Sequence, residues 1–147
     1  MSLKARITDD MKAALRAQDS ARLSAVRLLL AAVKQREIDE RIELDDDGVI
    51  AVVEKLIKQR KDSVSQYQAA ARQDLADKEQ FEIEVLTAYM PQPLAAAEVA
   101  ALIAACIAET GASSARDMGK VMAVLKPRLA GRADMSAVSG QVKAALA

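Results

Sequence analysis

Two prolines, Pro91 and Pro93, interrupt a chain that otherwise reads as one amphipathic helix after another. Proline has no N–H to donate, and it pushes the residue before it away from helical backbone angles. The segment "MPQP" (Met90–Pro93) must therefore end whatever precedes it and free whatever follows. The boundary is placed there, giving an N-terminal helical domain over 1–91 and a C-terminal domain over 92–147.

Hydrophobic spacing predicts four helices before the prolines. Ser2 can cap the first, where Leu3, Ile7, Met11 and Leu15 recur at i+4. Asp19 or Ser20 can cap the second, with Leu23, Val26, Leu30 and Val33 as its stripe. The third turns Val49, Val53, Leu56, Ile57, Val64 and Tyr67 inward and fades near "AARQD". The fourth places Leu75, Val85, Leu86 and Tyr89 near one face, with either Phe81 or Glu82 beside them. Beyond the prolines, "LAAAEVAALIAACIAET" is helical up to Gly111, a residue suited to a left-handed C-terminal cap. Ser114 and Asp117 resemble a capping box opening the next helix, which Gly131 closes. Asp134 can cap the last helix, where Met135, Val138, Val142 and Leu146 repeat. The expected fold is all-α: a four-helix N-terminal domain followed by a small three-helix C-terminal domain. Apolar residues make up 52% of the chain and aromatics 2%, so the core must come from Ala, Leu, Val and Ile on close helices.

Histidine is absent, which removes Ser–His and Cys–His nucleophile pairs and the commonest metal ligand. No glycine-rich phosphate loop is present. Cys106 is the single cysteine; it sits in an alanine-rich helix with no cation near it in sequence, and reads as a buried, inert thiol. "ELDDDGVIAVVE" (Glu43–Glu54) approaches the spacing of a calcium loop, with Gly48 sixth and Glu54 twelfth. Its first place holds Glu43 where a shorter Asp is wanted, and no second loop accompanies it. An acidic helix start, capped by Asp46 or Asp47, is the preferred reading, so neither metal nor cofactor is expected.

Basic and acidic side chains balance at 21 each, but unevenly along the chain. Residues 1–92 carry 15 basic and 17 acidic side chains, whereas 111–147 carry six and two. The segment "MGKVMAVLKPRLAGRADMSAV" (118–138) holds Lys120, Lys126, Arg128 and Arg132 against Asp134 alone. These four, with Gly119, whose lack of a side chain lets a backbone come close, are the candidate phosphate-binding residues. Arg60, Tyr67 and Arg72 form a secondary candidate surface of cations and an aromatic ring. The structural alternative pairs Arg60 and Arg72 with Glu79 and Glu82 across a helix hairpin.

The stretches "KQRKDSVSQYQAAARQDLADKEQFEIEVLTAYMPQPL" (58–94) and "MGKVMAVLKPRLAGRADMSAVSGQVKAAL" (118–146) resemble the two signatures of the GatB/YqeY family. The likeness is to the stand-alone YqeY-like proteins, which resemble the C-terminal helical and tail region of the B subunit of tRNA-dependent amidotransferase. It implies two all-α domains and a tail that helps to hold tRNA. The carbon–nitrogen ligase activity with glutamine as amido-N donor attached to the family belongs to the larger complex, and no residue here supplies its chemistry. The expectation is a non-catalytic tRNA- or RNA-binding accessory protein of translation. The alternative is a helical protein-interaction adaptor with no RNA role. A lone thiol, the lack of a signal-like N-terminus and the absence of an apolar run of about 18 residues lead to the expectation of a cytoplasmic protein that does not enter membranes.

Overall fold

In the computed structural model, which describes residues 1–147, four of the helices start where a side chain caps them. Ser2 caps α1 (Leu3–Arg16) by accepting from the Ala5 N–H, and Asp19 caps α2 (Ser20–Glu40) by accepting from the Arg22 N–H. The cap of α3 (Asp46–Ala69) is Asp45, whose carboxylate accepts from the Gly48 N–H at 2.8 Å. Neither Asp46 nor Asp47 does this; Asp46 instead accepts from the Leu3 N–H and ties the start of α1 to the start of α3. Helix α4 runs from Gln73 to Thr87. With α3 helical from Asp46, Gly48 and Glu54 lie inside a helix, and no twelve-residue loop exists to wrap an ion. The chain has seven α-helices and no strand.

It divides into two compact units, Met1–Met90 and Pro91–Ala147. In the first, α1 pairs with α2, α3 pairs with α4, and α2 packs on both α3 and α4. Ile7, Val26, Leu29, Val49 and Val53 are wholly buried at the centre. The i+4 reading of α1 drifts, because four residues turn a helix by about 400°, or 40° past a full turn. By Leu15 the drift carries the side chain off the core, leaving it half exposed, and Ala14 is buried in its stead. On α2 the stripe is likewise centred on Leu29, with Leu23 and Leu30 only partly covered.

The second unit contains α5 (Ala96–Thr110), a 3-10 turn (Ala115–Asp117), α6 (Met118–Leu129) and α7 (Met135–Ala145). Its core is three short stripes: Val99, Ile103 and Cys106 from α5, Val121, Leu125 and Leu129 from α6, and Val138, Val142 and Leu146 from the last helical stretch. The core is therefore branched rather than alanine-built; the alanines of α5 face outward. Gly111 ends α5 at φ 65°, as its sequence position suggests. The Ser114–Asp117 capping box does not form as drawn. Asp117 accepts from the Ser113 N–H at 3.0 Å, and the Ser114 side chain makes no cap bond. Pro127 is accommodated in the last turn of α6, which continues to Leu129. Asp134 caps α7 through the Ser136 N–H.

Candidate nucleic-acid interface

Helix α6 carries three of the predicted cations, and its core stripe fixes where each points. Taking Val121, Leu125 and Leu129 as the inward direction, a turn of about 100° per residue puts Arg128 some 60° to one side and Lys126 about 100° to the other. Lys120 lies about 140° round, close to the solvent side. The three therefore belong to different faces.

Their surroundings differ accordingly. Arg128 leans on α5 and makes two bonds to Glu109, Nη2 to Oε2 at 2.9 Å and Nη1 to Oε1 at 3.2 Å. The same guanidinium lies 3.5 Å from the Cys106 sulfur, which is fully buried beneath it. Glu109 thus holds Arg128 more firmly in its charged form and neutralises it. Lys120 is 3.9 Å from Asp117, a loose pair on an exposed side chain. The Ser113 N–H, and after it the nearby Lys120, keep the Asp117 carboxyl below its ordinary range. Lys126 makes no ion pair, and with Met122 it lines a shallow cleft of about 370 Å³ against Met135, Ser136 and Ser139 of α7. Arg132 sits exposed in the α6–α7 connection, also without an ion pair; its carbonyl accepts from the Leu94 N–H at 3.0 Å and anchors the segment entering α5. Gly119 is open: a Cβ built there would meet nothing within 4 Å. No neighbouring helix presses on it.

The carboxylates flanking α6 and α7 accept backbone N–H groups. The Ser136 N–H at α7 is bonded to Asp134, and the turn leading into α6 is closed by Asp117. A residue that sequence reasoning passed over is Lys143. It lies on α7 seven residues after Ser136 and four after Ser139, so helical spacing puts it on their stripe, and it makes no ion pair. Neither α6 nor α7 contains an acidic residue, a signal that was present in the sequence.

The secondary surface is tied into the fold. Arg60 Nε donates to Glu82 Oε2 at 2.9 Å, and both side chains are nearly buried. Arg72 pairs with its neighbour Asp74 at 3.0 Å rather than with Glu79 or Glu82, because the α3–α4 turn places it beside the first turn of α4. The Arg72 N–H donates to the Tyr67 carbonyl at 2.8 Å. Two of the three residues proposed to meet RNA there are thus engaged with carboxylates. Elsewhere in this unit the Tyr89 hydroxyl donates to Asp10 at 2.7 Å, with Arg6 over the ring. Burial, helped by that bond, pushes the Tyr89 phenol well above its usual range.

The model of the Yqey-like protein family matches residues 4–146. This chain belongs to that family. The resemblance carried by residues 58–94 and 118–146 is thereby borne out. Among the curated relatives of this Yqey-like chain are three proteins named "Altered inheritance of mitochondria protein 41, mitochondrial". The one from Eremothecium gossypii is 38% identical over 96 residues, which is 64% of this chain and 52% of the relative. The one from Lachancea thermotolerans is 37% identical over 95 residues, 64% of this chain and 51% of its own length. The one from Kluyveromyces lactis is 38% identical over 86 residues, 58% and 46% respectively. The match spans about half the length of these relatives. Their names overturn the expectation of a cytoplasmic protein. The reason is physical: a lone reduced thiol fits any reducing compartment and does not select the cytoplasm.

Proposed function

We propose that this chain is a tRNA- or RNA-binding accessory protein that performs no chemistry of its own. In this reading residues 1–91 and 92–147 act as separate four-helix and three-helix domains, and the second holds phosphate. The observation that carries it is the charge of α6, α7 and their connection. Lys126, Arg132 and Lys143 stand there without an ion pair, Arg128 being taken by Glu109 and Lys120 lying near Asp117, and the Asp134 carboxylate is turned to the Ser136 N–H. Cations without partners keep their counterions, and releasing those to solvent is what drives binding to a phosphate backbone. Ligase activity with glutamine as nitrogen donor would require other subunits, and none is assigned to this chain.

Fluorescence anisotropy with labelled tRNA tests the reading. Three phosphate contacts predict an affinity that falls about 20- to 40-fold between about 50 mM and about 200 mM salt. Absence of binding at the lower salt, or binding insensitive to salt, would refute it. The adaptor reading is favoured by one feature of residues 1–90, namely that Leu28, Ile38 and Ile42 are each about half exposed. A partner protein retained after nuclease treatment, in a preparation that does not bind tRNA, would support that reading instead.

A further inference from the structure

We infer that the phosphate-binding face is the α6–α7 groove, centred on Lys126 and Lys143, and not the Lys120 or Arg128 side of α6. The inference rests on the RNA-binding reading and assigns it a surface. Three observations point to this groove. It is a shallow, open cleft of about 370 Å³, with Met122 and Met135 in its lining and Ser136 and Ser139 along the α7 side. Lys126 in its lining and Lys143, one turn beyond Ser139 on the same stripe of α7, lack carboxylate partners, whereas Arg128 is paired with Glu109 and Lys120 stands near Asp117. The one nearby acid, Asp134, spends an oxygen on the Ser136 N–H and sits two residues from the unpaired Arg132. An anionic occupant complements that charge, and a neutral helix would leave the connection's Arg132 unused. The occupant is a phosphodiester backbone: the lysines supply charge, the serine hydroxyls supply donors, and no aromatic ring is present on which a base could stack.

Two exposed glycines flank this face. On α6, Gly119, Met122 and Lys126 follow at helical spacing, and on α7 Gly140 adjoins Ser136 and Lys143. Nothing lies within 4 Å of a Cβ built at either glycine. A solvent-facing glycine inside a helix lowers helix stability without improving any contact in this chain, and it leaves room for a backbone approaching from outside.

The test compares full-length variants by tRNA anisotropy across a salt series, with circular-dichroism melting as the check on folding. Lys126→Ala with Lys143→Ala is expected to weaken binding roughly tenfold or more at low salt and to flatten the log–log salt slope by about 1.4 to 1.8. Lys126→Arg with Lys143→Arg should keep the slope. Lys120→Ala and Arg128→Ala should leave it unchanged. Gly119→Ala should melt at higher temperature yet bind more weakly, two effects of opposite sign that a structural role for the glycine would not produce. If wild type binds tRNA but the lysine double variant keeps the wild-type slope, or Gly119→Ala binds as wild type does, the groove assignment is wrong while the RNA reading stands. If wild type does not bind tRNA, both are wrong.

Discussion

The Arg60–Glu82 pair permits a quantitative test of how the first unit is held. Arg60 is on α3 and Glu82 on α4; their side chains keep only 13% and 11% of their accessible surface, and Nε meets Oε2 at 2.9 Å. The guanidinium also reaches the Leu56 carbonyl at 3.4 Å. Removing one member of a fully buried pair costs about 3–5 kcal/mol because the other charge is stranded. The small residual exposure here lets water reach the survivor, which lowers the expected cost of Glu82→Leu or Arg60→Met alone to about 2–3 kcal/mol. With an m-value of about 1.5 kcal/mol per molar urea, the midpoint falls by roughly 1.3 to 2 M. Both substitutions together leave no stranded charge and replace the pair by apolar groups of similar volume, so the double variant should lose under about 1 kcal/mol.

The assay can be made specific to this unit. Tyr67 and Tyr89 are the only tyrosines, there is no tryptophan, and both lie in residues 1–90. Tyrosine fluorescence in urea therefore follows the first unit without contribution from the second. A double variant whose loss equals the sum of the two singles would refute the argument, since it would mean the residues matter separately. Single variants that cost less than about 0.5 kcal/mol would refute it too, placing the pair among exposed bridges of little worth.

Three further outcomes follow from individual positions. Gly48→Ala should destabilise by about 1 kcal/mol in a thermal melt, despite alanine's better helix propensity, because the new Cβ would lie 2.9 Å from Leu44 Cδ2 and 3.3 Å from its Cβ, and Leu44 is packed in the core. Ala71→Gly should stabilise by about 0.5–1 kcal/mol by tyrosine-monitored urea unfolding, because Ala71 holds a left-handed φ of 57° at an exposed turn where glycine carries no Cβ penalty. Glu37 accepts from Lys4 and from the Leu44 N–H, which pull its carboxyl below the ordinary 4.5. Its folded form thus favours the ionised state, and its contribution is complete above about pH 4.5 and is lost as pH falls through the lower folded value. Glu37→Gln should flatten the stability profile on that acid side, and a profile identical to wild type would contradict the assignment.

Helix positions and caps were legible because they depend on local rules: Ser2, Asp19, Gly111 and Asp134 act where their neighbours in sequence require. The misreadings arise where a choice depends on residues far along the chain. Asp45, Asp46 and Asp47 are equivalent as text, and only the approach of α1 makes Asp46 the acceptor for Leu3 and leaves Asp45 to cap. Gly48 suggested an ion-binding turn, but its actual constraint is Leu44 folding back over the first turn of α3. The turns at Gln18, Arg41 and Ala71 are left-handed with no glycine to announce them. Arg72 has Asp74, Glu79 and Glu82 within reach by sequence, and the tight turn selects the nearest.

The same distinction separates the charges that the fold uses from those left over on α6 and α7. In residues 1–90 acids and bases alternate on helices that pack side by side, so Lys4, Arg60 and Arg72 each find a carboxylate and become part of the fold. Their presence then says little about an outside partner. In α6 and α7 no acid exists to receive a lysine, and the flanking carboxylates Asp117 and Asp134 accept backbone N–H groups. The only cross-helix pairing available to α6 is with α5, and it takes Arg128 alone. Lys126 and Lys143 are thus left over by the composition of their own helices, as is Arg132 in the connection, and no rearrangement of side chains within α6 and α7 could neutralise them. Residues 118–147 thus hold a local excess of cations with no acid on their own helices, which is why the α6–α7 groove, rather than the paired ions around Arg60, is where binding should be measured first.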